Sequence, residues 1–285
     1  MLRANSRAQL AKSLAPSRAA GVRVGLVPTM GNLHDGHISL VRQVREHCDY
    51  CVASIYVNPT QFGEGEDLDR YPRTPDADFA ALNAAGCDLV FMPGVEDVYP
   101  DGPENATMVH VPVVSEGLCG AARPGHFDGV ATVVSILLSL VRPQVAIFGR
   151  KDFQQLKVIE KLERDLGLQV NILGAPIVRE KNGLAMSSRN QYLSAAQRDQ
   201  AAAIFRSLQQ LKTNVGDKGW EPGRACEAAI AQLEQAGLEP EYLEIRCRDD
   251  LSKVRPQDTE LVALAAARLG GARLIDNLEF DRSHF

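Results

Sequence analysis

Two regimes of apolar and polar spacing follow one another along this chain, and the change comes near residue 175. Before it, short continuous apolar runs recur at Val22–Val27, Cys51–Val57, Asp88–Met92, Gln144–Phe148 and Gln169–Leu173. Runs of this length read as strands buried on both faces. Helical spacing fills the gaps. Ile38, Leu40, Val41 and Val44 mark one helix, and the very apolar stretch Ile136–Val141 marks a buried one. Thr74 as N-cap, Pro75 at the first helical position and Asp76 and Asp78 in the first turn announce a third. A fourth runs from Asp152 to Leu166 and stops at Gly167, a natural residue just past a helix end. Leu2, Leu10 and Leu14 predict an amphipathic N-terminal helix packed beside the first strand. Strands alternating with helices predict an α/β fold, a doubly wound parallel (Rossmann-like) sheet over residues 1–175.

From about Pro176 the texture differs. An Ala/Gln/Arg-rich helix is predicted from Ala195 to Leu211, then a loop over Asn214–Gly223 and a helix from Ala225 to Ala236. Short strands follow at Tyr242–Arg246, Leu261–Ala266 and Arg273–Ile275. This reads as a second, smaller α+β domain over 176–285, a lid in character.

The 285 residues give ample core, and a net charge of −5 argues against a nucleic-acid partner, which needs a basic surface. No run approaches the roughly 20 apolar residues of a membrane span. Arg3, Arg7, Lys12, Arg18 and Arg23 precede the first acid, Asp35, a pattern shared with organellar transit peptides. The first core strand already starts by Val22, which leaves little to cleave, so a cytoplasmic location is expected. Cys48-x-x-Cys51 has zinc or redox spacing, but no second pair completes a zinc site. Buried reduced thiols, and no protein-held metal, are the expectation. His47, His110 and His284 lack supporting context and are read as structural.

The chemistry concentrates in a few places. Pro28-Thr29-Met30-Gly31-Asn32-Leu33-His34-Asp35-Gly36-His37 carries the chain from the first strand into a helix. A helix N-terminus offers unpaired N–H groups and the positive end of its dipole, so it favours anions. Imidazoles there add donors, and the glycines let backbone come close. Gly149-Arg150-Lys151-Asp152 repeats the arrangement after another strand. In doubly wound sheets, ligands bind beyond the carboxyl ends of the strands, where strand order reverses. Gly183-Leu184-Ala185-Met186-Ser187-Ser188-Arg189-Asn190 is a hydroxyl-rich turn ending in arginine, suited to phosphate oxygens. Together these point to nucleotide chemistry at the α-phosphorus.

With Ser54 to Phe62, Tyr71-Pro72-Arg73-Thr74, Leu118-Cys119-Gly120, Arg123 to Phe127 and Phe148 to Leu156 added in order, the chain resembles the pantoate–β-alanine ligase family. That family belongs to the nucleotidyltransferases with a His-x-Gly-His motif. Asn182, where the family usually has Asp, Val98 before Tyr99, and an unusually aliphatic Ser135–Leu140 are the departures. The resemblance implies ATP-dependent joining of (R)-pantoate to β-alanine through a pantoyl adenylate, with AMP and diphosphate released. It implies ATP contacts from Met30, Gly31, Asn32, Leu33, His34, Asp35, Gly36 and His37. Gly149, Arg150, Lys151 and Asp152, then Val178 with Met186, Ser187, Ser188 and Arg189, complete that set. His34, His37, Lys151, Ser187, Ser188 and Arg189 take catalytic roles, with His37 a proton donor by the family description. Gln61 and Gln155 fall to pantoate, Gln61 and His126 to β-alanine; for His126 and Arg123 a surface-anchoring role is the alternative. Mg²⁺ is expected mainly on the ATP phosphates, and a homodimer through the larger domain. Rival readings are a nucleotidyltransferase making a nucleotide-linked cofactor, or a non-catalytic ATP-binding regulator.

Overall fold

The apolar runs of the first half form a six-stranded sheet in the computed structural model, which describes residues 1–282. His284 lies outside the described residues. The strands are β1 (Leu2–Ala4), β2 (Val24–Thr29), β3 (Tyr50–Ile55), β4 (Leu89–Phe91), β5 (Val145–Gly149) and β6 (Asn171–Ala175). Their order is β1-β4-β3-β2-β5-β6, and every pairing is parallel. The helices between them are α1 (Arg7–Ala19), α2 (Asp35–Val44), α3 (Pro75–Ala84), α4 (Val95–Val98), α5 (Leu118–Ala122), α6 (His126–Val141) and α7 (Phe153–Leu166).

From β2 the chain steps one way to β3 and β4, then returns to β5 and steps the other way to β6. The reversal lies between β2 and β5, which pair through Gly25↔Val145 and Leu26↔Ala146. Right-handed crossovers in opposite directions place helices on opposite faces, which is the doubly wound arrangement. On one face Val41 and Val44 of α2 pack with Val27, Cys51, Val90 and Ile147 of the sheet, all of them buried.

One expectation fails at the N-terminus. Leu2 is not on the first helix but in β1, at the sheet edge, where it pairs with Leu89. The helix begins later, after Ser6, whose hydroxyl accepts from the Gln9 N–H at 3.3 Å. Three residues are too few to show a period of two, so leucine spacing alone drew Leu2 into the helix.

The first compact unit comprises Met1–Ser115, Arg123–Arg150 and Val158–Pro176. The second takes Glu116–Ala122, Lys151–Lys157 and the chain from Ile177 on, so the division is no single cut. Its later elements are α8 (Ala195–Ala201), α9 (Ala203–Lys212), α10 (Pro222–Gln235), β7 (Glu239–Cys247), β8 (Glu260–Leu269) and β9 (Ala272–Asp281). The last three form an antiparallel sheet in the order β7-β8-β9. Ile204, Leu208 and Leu211 pack with Leu233, Leu243, Leu261 and Ala265 in its core. The single helix expected over 195–211 is broken at Ala202. The three strands run longer than expected: in β8 the exposed Glu260 and Arg268 bound the apolar run, and in β9 it is interrupted by the polar pair Asp276–Asn277, which is buried within the strand. All six cysteines are free thiols; four are buried, while Cys226 and Cys247 are half-buried. Among the described residues no helix is long and apolar enough to cross a membrane.

Candidate active site

Beyond Thr29, the last residue of β2, the chain must turn sharply into α2. Gly31 makes the turn at φ +82°, which an L side chain rarely adopts. Two backbone N–H groups of the turn, Asn32 at 2.9 Å and Leu33 at 2.8 Å, donate to the carboxylate of Asp78. Asp78 is 2% exposed and also accepts the Thr74 hydroxyl at 3.0 Å. Thr74 therefore makes no side-chain cap of α3, and the acid read as a helix-dipole residue instead clamps the neighbouring turn.

His34 is the N-cap of α2. Its Nδ1 accepts the Gly36 N–H at 3.1 Å, and the His37 Nδ1 accepts the His34 N–H at 3.4 Å, with the ring centroids 4.1 Å apart. A neutral imidazole has one acceptor and one donor nitrogen. Accepting at Nδ1 puts the ring proton on Nε2 in both, so the pair presents donors at a helix N-terminus. Asp35 is exposed in the first turn, where its charge suits the dipole.

Gln61 ends the short turn Pro59–Gln61, pressed against α6: a Cβ on Gly129 would collide with the Thr60 carbonyl oxygen. Its side-chain amide is held too. Oε1 accepts from Asn58 Nδ2 at 3.1 Å, and Nε2 donates to Met30 Sδ at 3.1 Å. Behind it, His126 Nδ1 lies 2.8 Å from the Gln61 carbonyl oxygen, and His126 Nε2 lies 2.9 Å from Arg123 Nη1. A guanidinium only donates, so Nε2 accepts and Nδ1 carries the proton. Both nitrogens of this buried ring are engaged within the protein. Arg123 closes the cluster with a fork onto Glu66, at 2.7 and 2.6 Å. Burial pushes the Glu66 carboxyl up, but the hydrogen bond and charge of Arg123, with Gly63 and His126, carry it below its ordinary value.

The chain leaves β5 at Gly149, next to β2 in the sheet, and passes through the turn Arg150–Asp152. Arg150 Nε donates to the Gly174 carbonyl at 3.1 Å. Lys151 Nζ lies 3.7 Å from Asp152, and its backbone carbonyl accepts from Asn277 Nδ2 at 2.9 Å. Two glutamines follow with different surroundings. Gln154 is buried, bonded to Cys119 N and to the carbonyls of Glu116 and Gly117. Gln155 is half-buried, and its amide has no hydrogen-bond partner among the described residues.

The serine turn sits on a small hairpin. Met186 N–H donates to the Val178 carbonyl at 2.9 Å, and Glu180 N–H to the Leu184 carbonyl at 2.8 Å. Asn182 accepts the Leu184 N–H at 3.1 Å, and its own amide donates to Asp199 at 3.0 Å and to the Arg198 carbonyl. Ser187 caps the following turn by accepting the Arg189 N–H at 3.3 Å, which leaves its hydroxyl proton to donate. Asn190 is fixed through Nδ2 to Glu180 and the Ala185 carbonyl. Lys151, Ser187, Asn190 and Asp276 line one small cavity of about 10 Å³. Of the expected residues, His34, His37, Met30 and Gln61 thus belong to the first unit, and Lys151, Gln155 and Met186–Arg189 to the second. Asp78, Arg179, Asp276 and Asn277 lie outside the site that the sequence pattern predicts. Among the described residues no group of three His, Cys, Asp or Glu is placed to hold a metal ion.

Comparison with known proteins gives a consistent result. The profile of the family described as pantoate-beta-alanine ligase matches residues 3–279. Pantothenate synthetase of Pseudomonas paraeruginosa is 58% identical over 271 residues, covering 95% of both chains. That of Azotobacter vinelandii is 52% identical over 273 residues, covering 96% of both. The crystal structure of pantothenate synthetase from Thermus thermophilus superposes with a TM-score of 0.90 at 43% identity, covering 98% of this chain and 99% of that one. The pantoate-beta-alanine ligase of Francisella tularensis, complexed with beta-gamma ATP and beta-alanine, gives 0.82 at 31%, covering 98% and 97%.

Proposed function

We propose that this chain, which belongs to the pantoate–β-alanine ligase family, joins (R)-pantoate to β-alanine at the expense of ATP. A carboxylate does not accept an amine at neutral pH without activation, so two steps are needed. The pantoate carboxylate attacks the α-phosphorus, the bond to the β-phosphate oxygen breaks, and diphosphate leaves. The β-alanine amine then attacks the acyl carbon of pantoyl adenylate, the bond to the phosphate oxygen breaks, and AMP leaves as the nitrogen loses a proton.

The observation that carries this reading is the histidine pair at the start of α2, with both side-chain protons fixed on Nε2 by backbone donors to Nδ1. Donors oriented before the substrate arrives stabilise developing charge without reorganising. His34 and His37 donate to the phosphates, and His37 supplies a proton. Lys151 and Arg189 offset charge on the α-phosphoryl and the departing diphosphate, while Ser187 and Ser188 donate to its oxygens. Met30 to Leu33, Asp35, Gly36, Gly149, Arg150, Asp152, Val178 and Met186 line the nucleotide. Gln61 and Gln155 bind pantoate, whose hydroxyls and carboxylate suit neutral amides. β-Alanine meets Gln61, with His126 behind it holding the carbonyl. Magnesium bound to the triphosphate would neutralise charge on the leaving group. In this reading the larger unit carries the histidine pair and Gln61, and the smaller one carries Lys151, Gln155 and the serine turn. A cytoplasmic homodimer completes the reading, supported by the family resemblance.

Labelled diphosphate should enter ATP when the enzyme, ATP and pantoate are present without β-alanine, and not when pantoate is omitted. AMP should accumulate only with both co-substrates. ADP as product, or exchange without pantoate, overturns the adenylate.

A further inference from the structure

Two adjacent residues of β9 hold both halves of the candidate phosphate clamp in the second unit. Asp276 is 4% exposed, and its carboxylate accepts Arg179 Nη1 at 2.6 Å, Arg179 Nη2 at 2.9 Å and the Asn277 N–H at 2.8 Å. Arg179 spreads that hold over the hairpin carrying the serine turn. Its Nη1 also donates to the Gly183 carbonyl at 3.0 Å, its backbone pairs with Ala185, and its guanidinium stacks 3.6 Å from the centre of the Phe205 ring. Asn277 reaches the other way, to the Lys151 carbonyl at 2.9 Å.

A buried ion pair is a poor device for stability alone. Desolvation offsets most of the attraction, and apolar residues of similar volume often do as well. Burial indeed pushes the Asp276 carboxyl up, against the pull of Arg179 and, further off, Lys151. What the pair supplies is direction, because a fork onto a carboxylate fixes both planes. The carboxylate joins a hairpin at 178–186 to a strand some 90 residues later, and its neighbour on that strand fixes the lysine.

We propose that Asp276, Arg179 and Asn277 are positioning residues for adenylate formation, holding the Lys151 main chain and the Met186–Arg189 turn in one frame. This rests on the reading above that those groups act on the phosphates. Misplacement of catalytic groups by about 1 Å costs on the order of 10²-fold in rate, so the effect belongs in kcat.

The test is pantoate-dependent diphosphate exchange in the full chain carrying R179M/D276L, which removes both charges and keeps bulk. The double variant should fold and melt near wild type, yet lose on the order of 10- to 100-fold in kcat with the KM for pantoate changed less than about twofold. N277A, which removes only the hold on the Lys151 carbonyl, should lose roughly tenfold in kcat with unchanged melting. N277D keeps an acceptor but no donor and should not restore the rate. Should the double variant fail to fold, N277A decides. A folded variant of either kind with more than half the wild-type kcat overturns the proposal. Wild-type enzyme without exchange would instead remove the reaction reading on which it rests.

Discussion

At the end of β2 the histidine pair is fixed from within three residues: Gly36 N–H on His34, and His34 N–H on His37. In the second unit, Lys151 and the hairpin of the serine turn are fixed from far along the chain, Lys151 by Asn277 at 126 residues and Arg179 by Asp276 at 97. The first corner is a property of a helix N-terminus and survives as long as α2 begins there. The second is a property of the tertiary fold, and the residues that maintain it touch neither motif in sequence. Local geometry orients donors cheaply, whereas cations and hydroxyls drawn from separate segments need a charged frame to hold them. A substitution in the first corner should therefore remove chemistry, and one in the frame of the second should displace it.

The comparison breaks most plainly at His37. His37→Ala removes a donor that matters chiefly as charge develops, so kcat should fall by about 10²- to 10³-fold. ATP binding should change far less. A variant keeping more than half the wild-type kcat in steady-state assays would show that the local corner does not perform the chemistry.

Asp78 is the exception inside the local corner, a residue over 40 positions from the turn it clamps. Asp78→Asn turns one acceptor oxygen into an N–H₂ group facing N–H donors. The loss should cost about 1.5–3 kcal/mol of stability, the usual worth of hydrogen bonds to a charged group. Thermal or urea unfolding reads it directly. If stability is unchanged while kcat falls, Asp78 acts on the histidines and not on the fold.

How far the sequence could show this follows the same divide. The doubly wound sheet was legible because buried parallel strands are continuous apolar runs, and the reversal between β2 and β5 placed both helix starts. β1 was missed because three residues carry no period. The histidines, Lys151 and the serine turn could be read from local motif grammar. Asp276 could not: an acid in a strand of alternating polarity looks solvent-facing until Arg179 is folded beside it. Gln154 and Gln155 show the limit at one-residue scale. Both are glutamines in the first turn of α7, yet one is bonded to three backbone groups and the other has no hydrogen-bond partner among the described residues, and only packing separates them.

That pair of glutamine environments sharpens the comparison. Gln61 is held by Asn58, Met30 and, through its carbonyl, His126, whereas nothing among the described residues bonds the Gln155 amide. Each Ala variant should raise the KM for pantoate by an amount worth ~1–3 kcal/mol, with the KM for ATP much less affected. Gln155→Ala should leave melting unchanged, while Gln61→Ala should lower it, since Asn58 loses a partner. Equal effects on both substrates, or none, would remove these residues from the pantoate site.

The smallest expected effect concerns the anchor behind Gln61, where the first unit borrows the second unit's device of a charged frame. Glu66 and Arg123 are 57 residues apart and joined by two short hydrogen bonds. The pairing lowers the Glu66 carboxyl below its ordinary value of 4.5, so the folded chain binds fewer protons there than the unfolded one. Stability from this pair is then fully present above pH 4.5 and is lost as pH falls through the lower folded value. In Arg123→Met the two largest lowering influences are gone and only Gly63 and His126 oppose burial, so the carboxyl should move up and the acid-side loss of stability should shrink. Urea midpoints measured from about pH 3 to pH 7 should therefore fall toward acid more steeply in wild type than in the variant. The KM for pantoate should rise in the variant at neutral pH, because His126 loses the donor to Nε2 that keeps its proton on the Gln61 side. Parallel curves and an unchanged KM would mean that the cluster merely pins a surface loop, leaving the first corner wholly local.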